Sequence, residues 1–179
     1  MNSRQLHRIQ EDYRALRQLA TAGLEAAGRF DCRRTANGFI WVYQGIPGLA
    51  LWAEGLTVWQ CWQALVALGP RYPVEAPRVF ITTVGHRARP FHPNILPVPP
   101  HLLCYGHHQP VQLLDGLARR LVRILRLDSG AIMTDERNSL HPEACQPVRR
   151  LVQEGAVPLR LGKPLPDWCR VRGCRTGKL

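Results

Sequence analysis

The segment that decides the fold is residues 92–104, which read HPNILPVPPHLLC. It lies within residues 84–110, a stretch without helical or strand periodicity that contains six prolines and five histidines. A loop of this length inside a compact domain is usually either functional or disordered. Prolines pre-set the backbone and reduce the entropy that is lost on ordering. We therefore predict an ordered loop, and its stiffness makes it a candidate to hold an active site.

Upstream of this loop, the hydrophobic pattern predicts one helix followed by strands. Apolar residues at spacings of three and four predict an amphipathic helix over residues 3–22. Aromatic and β-branched runs predict strands over residues 39–43 and 79–83. The Gly-Pro and Tyr-Pro pairs that follow residues 56–68 favour a strand for most of that apolar run. Turns are predicted at Asn37-Gly38 and at residues 45–48.

Downstream of the loop, the pattern returns to helices. An apolar stripe predicts a helix over residues 111–127, which the sequence Asp-Ser-Gly at 128–130 would end. A shorter helix is predicted from near Pro142 toward Glu154, weakened by Pro147. Prolines then alternate with basic residues. The predicted organisation is therefore one domain over residues 1–154 and a basic tail over residues 155–179.

Four features in a fixed order resemble the ubiquitin-conjugating enzyme family. They are Tyr72-Pro73, Ala76-Pro77, the tripeptide His92-Pro93-Asn94 and the downstream Cys104. The resemblance covers roughly residues 4–154. It implies a ubiquitin-conjugating-enzyme-like α+β fold, with an N-terminal helix, an antiparallel meander sheet, a catalytic loop and C-terminal helices.

The chain also departs from this family's pattern. Asn94 and Cys104 are ten positions apart, which is slightly longer than in the family, and three prolines lie between them. The tryptophan that often follows the cysteine is absent. The resemblance therefore implies a divergent member, bacterial and set in an anti-phage conjugation system.

The resemblance implies a role for four residues in a cysteine-thioester transferase. Cys104 would accept a ubiquitin-like modifier from an activating enzyme and pass it to an amine of a protein substrate. The side-chain amide of Asn94 would donate to the oxyanion, and His92 would shape the loop. Asn138 falls where the family orients the incoming amine, although an amide cannot act as a base. His101, His107 and nearby arginines are expected to favour the thiolate.

The first helix is the implied docking element for the activating enzyme. Its arginines are Arg4, Arg8, Arg14 and Arg17, which an acidic groove on that partner would fit. A solvated helix face explains the same arginines without a partner. No cofactor and no metal are expected. Because the chain has no apolar run of about 18 residues and no signal-peptide pattern, we expect a cytoplasmic protein without membrane contact.

The net charge of +11 comes almost entirely from arginine. Lys163 and Lys178 are the only lysines, so 22 of the 24 basic residues are arginines. One explanation is a GC-rich gene. Another is that an enzyme whose product is a modified lysine benefits from positive charge without an amine nucleophile. The sequence does not separate the two explanations, and the charge alone gives little support to nucleic-acid binding because no motif accompanies it.

Several alternatives remain open at this stage. Cys104 is either the nucleophile or a buried structural thiol, and Asn94 is an oxyanion donor, a turn residue, or both. The loop histidines with Cys104, or the set His141, Cys145, Cys169 and Cys174, are candidate metal ligands without a convincing spacing. At the level of function, the alternatives are a non-catalytic modifier-binding scaffold, a basic nucleic-acid-binding module and a thiol peptidase.

Overall fold

A computed structural model describes residues 3–24, 28–52, 55–86, 88–107, 109–160, 165–166 and 169. Within these residues the chain forms three helices and one antiparallel sheet, which confirms the predicted α+β class. The elements in order are α1 (Ser3–Ala22), β1 (Arg29–Thr35), β2 (Gly38–Trp52), β3 (Gly55–Ala67), β4 (Arg78–Thr83), β5 (Arg89–Pro90), α2 (Leu114–Leu125) and α3 (Pro142–Gln153).

The sheet is a meander in the order β1-β2-β3-β4, and β5 pairs with β2. Strand β1 was not predicted because arginines fill most of its outward positions. Its inward residues Phe30 and Cys32 are nevertheless buried and alternate with exposed ones, which is the period of a half-buried strand. The two-residue turn before Gly38 joins β1 to β2, close to the predicted Asn37-Gly38 turn.

The turn predicted at residues 45–48 is wrong, because β2 continues through it. The register between β2 and β3 shifts between Gln44 and Gly48, so this segment is a bulge within the strand. A bulge tolerates Pro47, which cannot donate to a strand ladder. Gly48 is required by packing, since a Cβ there would lie 2.6 Å from the indole of Trp62.

Helices α1 and α2 are joined through a buried carboxylate. Asp12 of α1 is fully buried, accepts a 2.5 Å bond from the hydroxyl of Tyr72 and pairs with the guanidinium of Arg8 at 3.2 Å. Its other oxygen accepts the backbone N–H of Leu114, the first residue of α2, at 3.0 Å. A carboxylate at this position satisfies one of the unpaired N–H groups at a helix start. Burial and the bond to Asp12 raise the pKa of Tyr72.

Helix α2 is shorter than predicted. It begins at Leu114, not at residue 111, and ends at Leu125. Val111 is 84% exposed, so it does not belong to the apolar stripe. The buried stripe consists of Leu114, Leu117, Ala118, Leu121, Val122, Ile124 and Leu125.

Helix α3 was predicted nearly to the residue, and Pro147 lies inside it. Its buried face packs in a second apolar cluster with Leu49 and Phe91. Leu159 and Cys169 belong to the same cluster although both lie within the predicted tail. The boundary at residue 154 stays a prediction, but these two residues are part of the packed domain. Among the described residues, no helix is long and apolar enough to cross a membrane.

Candidate functional site

The loop that was predicted to hold the site contains a short hairpin. Ile95 and Leu103 form an antiparallel bridge, and Leu102 bridges to Phe80 of β4. The N–H of Leu103 donates to the carbonyl of Val79 at 2.8 Å, so the hairpin extends the sheet beyond β4. Residues 98–100 at its tip are exposed, and Cys104 lies at its base. Three of the six prolines, at positions 97, 99 and 100, thus lie in the turn at the end of a paired segment.

Cys104 is held by its backbone, and the residue is partly exposed. The N–H of Cys104 donates to the carbonyl of Asn94 at 2.8 Å, and the carbonyl of Cys104 accepts the side-chain amide of Asn94 at 3.1 Å. The cysteine is free and partly exposed. Cys104 is therefore an ordered residue that is not fully buried, unlike the structural thiol of the alternative.

The other described cysteines have different surroundings. Cys32, Cys145 and Cys169 are buried, and Cys61 is partly exposed. Burial raises the pKa of Cys32 to about 12, with a further contribution from Asp31, and raises the pKa of Cys169 to about 11. Since the thiolate is the nucleophile, such groups are poor nucleophiles at neutral pH. Cys104 and Cys61 are the candidates for thiol chemistry among the described residues.

Asn94 acts as a clamp between three segments. Its side-chain Nδ2 donates to Cys104, and its Oδ1 accepts the N–H of Met133 at 2.9 Å. The residue is only 4% exposed. An amide group offers two donors and one acceptor atom, so one N–H is used within the loop. A turn residue alone does not describe Asn94, because its side chain binds backbone groups 10 and 39 positions away along the chain.

His92 is a neutral residue with a structural role next to Asn94. Its Nδ1 accepts the N–H of Asn94 at 3.0 Å, and its Nε2 lies 2.9 Å from the carbonyl of Ile124. These partners require the tautomer that carries its proton on Nε2. Burial lowers the pKa of His92 to about 4. The ring therefore fixes the loop against α2.

Asn138 lies on a second loop that contacts the first. The N–H groups of Leu140 and His141 both donate to the carbonyl of Pro93, at 2.9 Å and 3.2 Å. Asn138 itself is exposed, and its side-chain amide donates to Asp135 at 2.6 Å. The structure thus brings the loop of Asn138 to the loop of Asn94, and it pairs Asn138 with a carboxylate.

Asp135 is a functional candidate that the sequence analysis missed. One of its oxygens accepts the backbone N–H of Arg137 at 3.0 Å, and the other accepts the amide of Asn138. Asp135 is exposed and lies on the loop that binds Asn94 through Met133. A carboxylate can accept a proton, which an amide cannot. The available signal in the sequence was that Asp135 lies three residues before Asn138.

The residues that follow Cys104 form one wall of the site. The hydroxyl of Tyr105 donates to the carbonyl of Pro77 at 2.6 Å, which ties the cysteine segment to the residues just before β4. Burial raises the pKa of Tyr105 to about 12. His107 is exposed, and its carbonyl lies 3.5 Å from the guanidinium of Arg120 on α2.

His101 does not face the site as a free base. It is 8% exposed, and its Nδ1 lies 3.0 Å from the carbonyl of Leu96 across the hairpin. His141 is 5% exposed and makes an edge contact with the ring of Phe91. Burial is the largest cause that lowers the pKa of His141. Both rings therefore have structural positions.

No metal-binding group of three acidic, histidine or cysteine side chains occurs within the described part of the chain. His108 and Cys174, which belonged to the two metal alternatives, lie outside that part. A cleft of about 460 Å³ lies elsewhere, between α1, the β1–β2 turn and residues 68–70. A small concavity next to the cysteine segment is lined by residues that include Tyr105 and Arg120.

The four arginines assigned to partner docking divide into two groups. Arg4, Arg14 and Arg17 are exposed on α1. The side chain of Arg8 is only 13% exposed, because it pairs with Asp12 and donates to the carbonyl of Gln112. Arg8 therefore ties α1 to the segment before α2, and the docking role stays a prediction for all four.

Comparison of the chain with protein-family models found no match, and comparison with curated proteins found none either.

Proposed function

We propose that the protein is a ubiquitin-conjugating-enzyme-like acyltransferase that carries a ubiquitin-like modifier as a thioester on Cys104. The observation that carries this proposal is that the backbone of Cys104 is fixed by two hydrogen bonds to Asn94 while the residue stays partly exposed. A nucleophile held in one geometry gains from orientation, because less freedom is lost when the reacting atoms meet. The quoted sequence resemblance adds the identity of the acyl group.

The first step exchanges one thioester for another. The thiolate of Cys104 attacks the carbonyl carbon that joins the C-terminus of the modifier to a cysteine of an activating enzyme. The new C–S bond forms at Cys104, and the donor cysteine leaves as a thiolate. In the second step an amine of the protein substrate attacks the same carbon. A C–N bond forms, the Cys104 thiolate leaves, and the proton of the amine passes to a base.

Asn94 supports these steps mainly by holding Cys104. Removing a bond that fixes the nucleophile costs rate even when no bond to the substrate is lost. Its amide has a second N–H beyond the one bound to Cys104, and we propose this N–H as the oxyanion donor. Donors of this kind contribute about 3–4 kcal/mol when they point to the developing charge.

Asp135 is the proposed acceptor of the amine proton. It is an exposed carboxylate, and the amide of Asn138 fixes one of its oxygens at 2.6 Å. Asn138 then acts as a positioning residue for Asp135, which agrees with the chemistry better than a direct role. The exposed arginines Arg4, Arg14 and Arg17 are the proposed contacts for an acidic surface of the activating enzyme. A bacterial anti-phage setting rests on the resemblance alone.

The test is a non-reducing gel of the protein co-expressed with its neighbouring genes, with ATP supplied. We expect a band shifted by one modifier that collapses when reductant is added. Cys104→Ser is expected to replace it with a reductant-resistant ester band. The matched control is Cys61→Ser, which removes the other partly exposed thiol and is expected to leave the shift unchanged.

Two results would count against the proposal. A shift that survives Cys104→Ala shows that another residue carries the modifier. No shift with any activating partner, together with retained binding of the modifier, identifies a non-catalytic scaffold instead.

A further inference from the structure

The positive charge on the elements that border the Cys104 loop comes from arginine. Lys163 and Lys178 are the only lysines of the chain, and both lie outside the described residues. Every positively charged side chain of the described domain, histidine aside, is therefore a guanidinium. This matters near Cys104, because the proposed thioester reacts with primary amines.

Arg120 is the arginine whose position relative to the cysteine segment is best defined. It is exposed on α2, and its guanidinium lies 3.5 Å from the carbonyl of His107. The same group covers Gly106, since a Cβ built on that glycine would lie 2.9 Å from the guanidinium of Arg120. Gly106 is only two residues from Cys104. A charged side chain from α2 thus rests on the segment that carries the thiol.

A second exposed arginine, Arg137, lies on the other loop. Its backbone N–H donates to Asp135, the proposed proton acceptor. The flanking residues of this loop bind Asn94 and Pro93 through Met133 and Leu140. Exposed arginines therefore stand on both elements that border the cysteine loop.

We propose that arginine at positions 120 and 137 supplies positive charge beside Cys104 while withholding a primary amine that the thioester would acylate. This inference rests on the proposed function. It deepens that function by explaining how the thioester is kept for an external substrate and is not lost to the carrier itself.

The chemistry separates the two cations. Lysine has a pKa of about 10.4, so a small neutral fraction is always present near pH 7, whereas arginine stays protonated with a pKa above about 12. A neutral lysine amine would attack the thioester carbonyl, form a C–N bond and release the Cys104 thiolate, while the amine proton passes to solvent. An amine on the same chain has an effective concentration of the order of millimolar.

The experiment introduces lysine and follows the product. The Arg120→Lys and Arg137→Lys proteins are charged with modifier, the activating enzyme is then removed, and the disappearance of thioester is followed on non-reducing and reducing gels. Arg120→Gln removes the guanidinium without adding an amine. Arg29→Lys adds an amine on β1, three strands from β4 and so roughly 14 Å from the strand that the cysteine hairpin extends.

The expected result is a reductant-resistant self-conjugate in the Arg120→Lys protein that forms at least about tenfold faster than in the Arg29→Lys control. Its rate should rise about tenfold per pH unit between pH 7 and 9, as the neutral fraction of lysine does. Peptide mapping should place the modifier on residue 120, and Arg120→Gln should show no more self-conjugate than the unchanged protein. Arg137→Lys should behave in the same way, with the modifier on residue 137.

Two outcomes overturn the inference. If Arg120→Lys and Arg137→Lys form thioesters that decay as slowly as the unchanged protein and yield no self-conjugate, arginine has no protective role there and the proposed function still stands. If the unchanged protein forms no thioester, both proposals fail together. The thioester band that is present before the activating enzyme is removed distinguishes these two cases.

Discussion

Asn94 and Asn138 lie on two loops that are hydrogen-bonded to each other, yet the molecule uses them differently. Asn94 is 4% exposed and binds backbone groups of Cys104 and Met133. Asn138 is exposed and binds the carboxylate of Asp135 within its own turn. The same side chain is thus a buried clamp in one loop and a surface positioning group in the other. We therefore expect stability to depend on the first and proton transfer on the second.

The largest expected effect on stability comes from Asn94→Ala. This change removes two bonds and leaves the N–H of Met133 and the carbonyl of Cys104 without these partners. Each such loss costs about 1–3 kcal/mol, so we expect the free energy of unfolding to fall by about 4 kcal/mol. Urea denaturation followed by tryptophan fluorescence measures it. A loss below about 1 kcal/mol would show that Asn94 is not a clamp.

The second effect is a dependence on pH through His92. The folded-state pKa of His92 is about 4, below the ordinary value of 6.5. The unfolded chain therefore binds more protons between these values, so stability is complete above pH 6.5 and falls as the pH falls toward 4. About 3 kcal/mol is lost over this range, and about 2 kcal/mol of it between pH 6.5 and 5. His141 contributes in the same direction.

Denaturation at several pH values between 7.5 and 5 checks this prediction. His92→Gln is expected to flatten the curve, and His107→Gln, which changes an exposed ring, is expected to leave it as steep as before. A flat curve for the unchanged protein would contradict the neutral, buried state of His92.

The smallest effect on stability is expected for Asn138→Ala. An exposed bond within a turn contributes little, so the free energy of unfolding should change by less than about 0.5 kcal/mol. Transfer of the modifier to an amine should nevertheless slow severalfold, with its pH profile moved, because Asp135 loses the group that fixes it. Single-turnover discharge to free lysine across pH 7 to 9 measures this. Asp135→Asn should slow discharge more than Asn138→Ala does, and the reverse order would remove Asp135 from the mechanism.

The helices and inner strands were predictable because their patterns are local. The apolar stripes of α1 and α2 and the alternation in β4 follow from burying one face. Strand β1 was not predicted because only two inward residues, Phe30 and Cys32, carry its alternating pattern, and arginines flank them. Pro47 indicated a turn, because a central strand accepts a proline only at a bulge. The bulge that occurs here depends on the packing of Gly48 against Trp62.

The sequence identifies the candidate cysteine, but it does not identify the residues that hold that cysteine in place. Asn94 and Cys104 were found through a local motif. The partners of the motif are Met133, which follows Asn94 by 39 residues, and Ile124, which follows His92 by 32. Contacts of this sequence separation leave no periodic trace. Asp135 was not predicted because the family resemblance points to Asn138 in the same turn.

The measurement that tests the central claim most directly is the intact mass of the protein purified from co-expression with its neighbouring genes. The account predicts an adduct equal to the modifier minus one water, located on Cys104 and released by hydroxylamine or reductant. In Cys104→Ser the adduct should persist through reductant as an ester, and in Cys61→Ser it should be unchanged. An adduct located on any other residue, or an unmodified mass under every activating condition, would contradict the account.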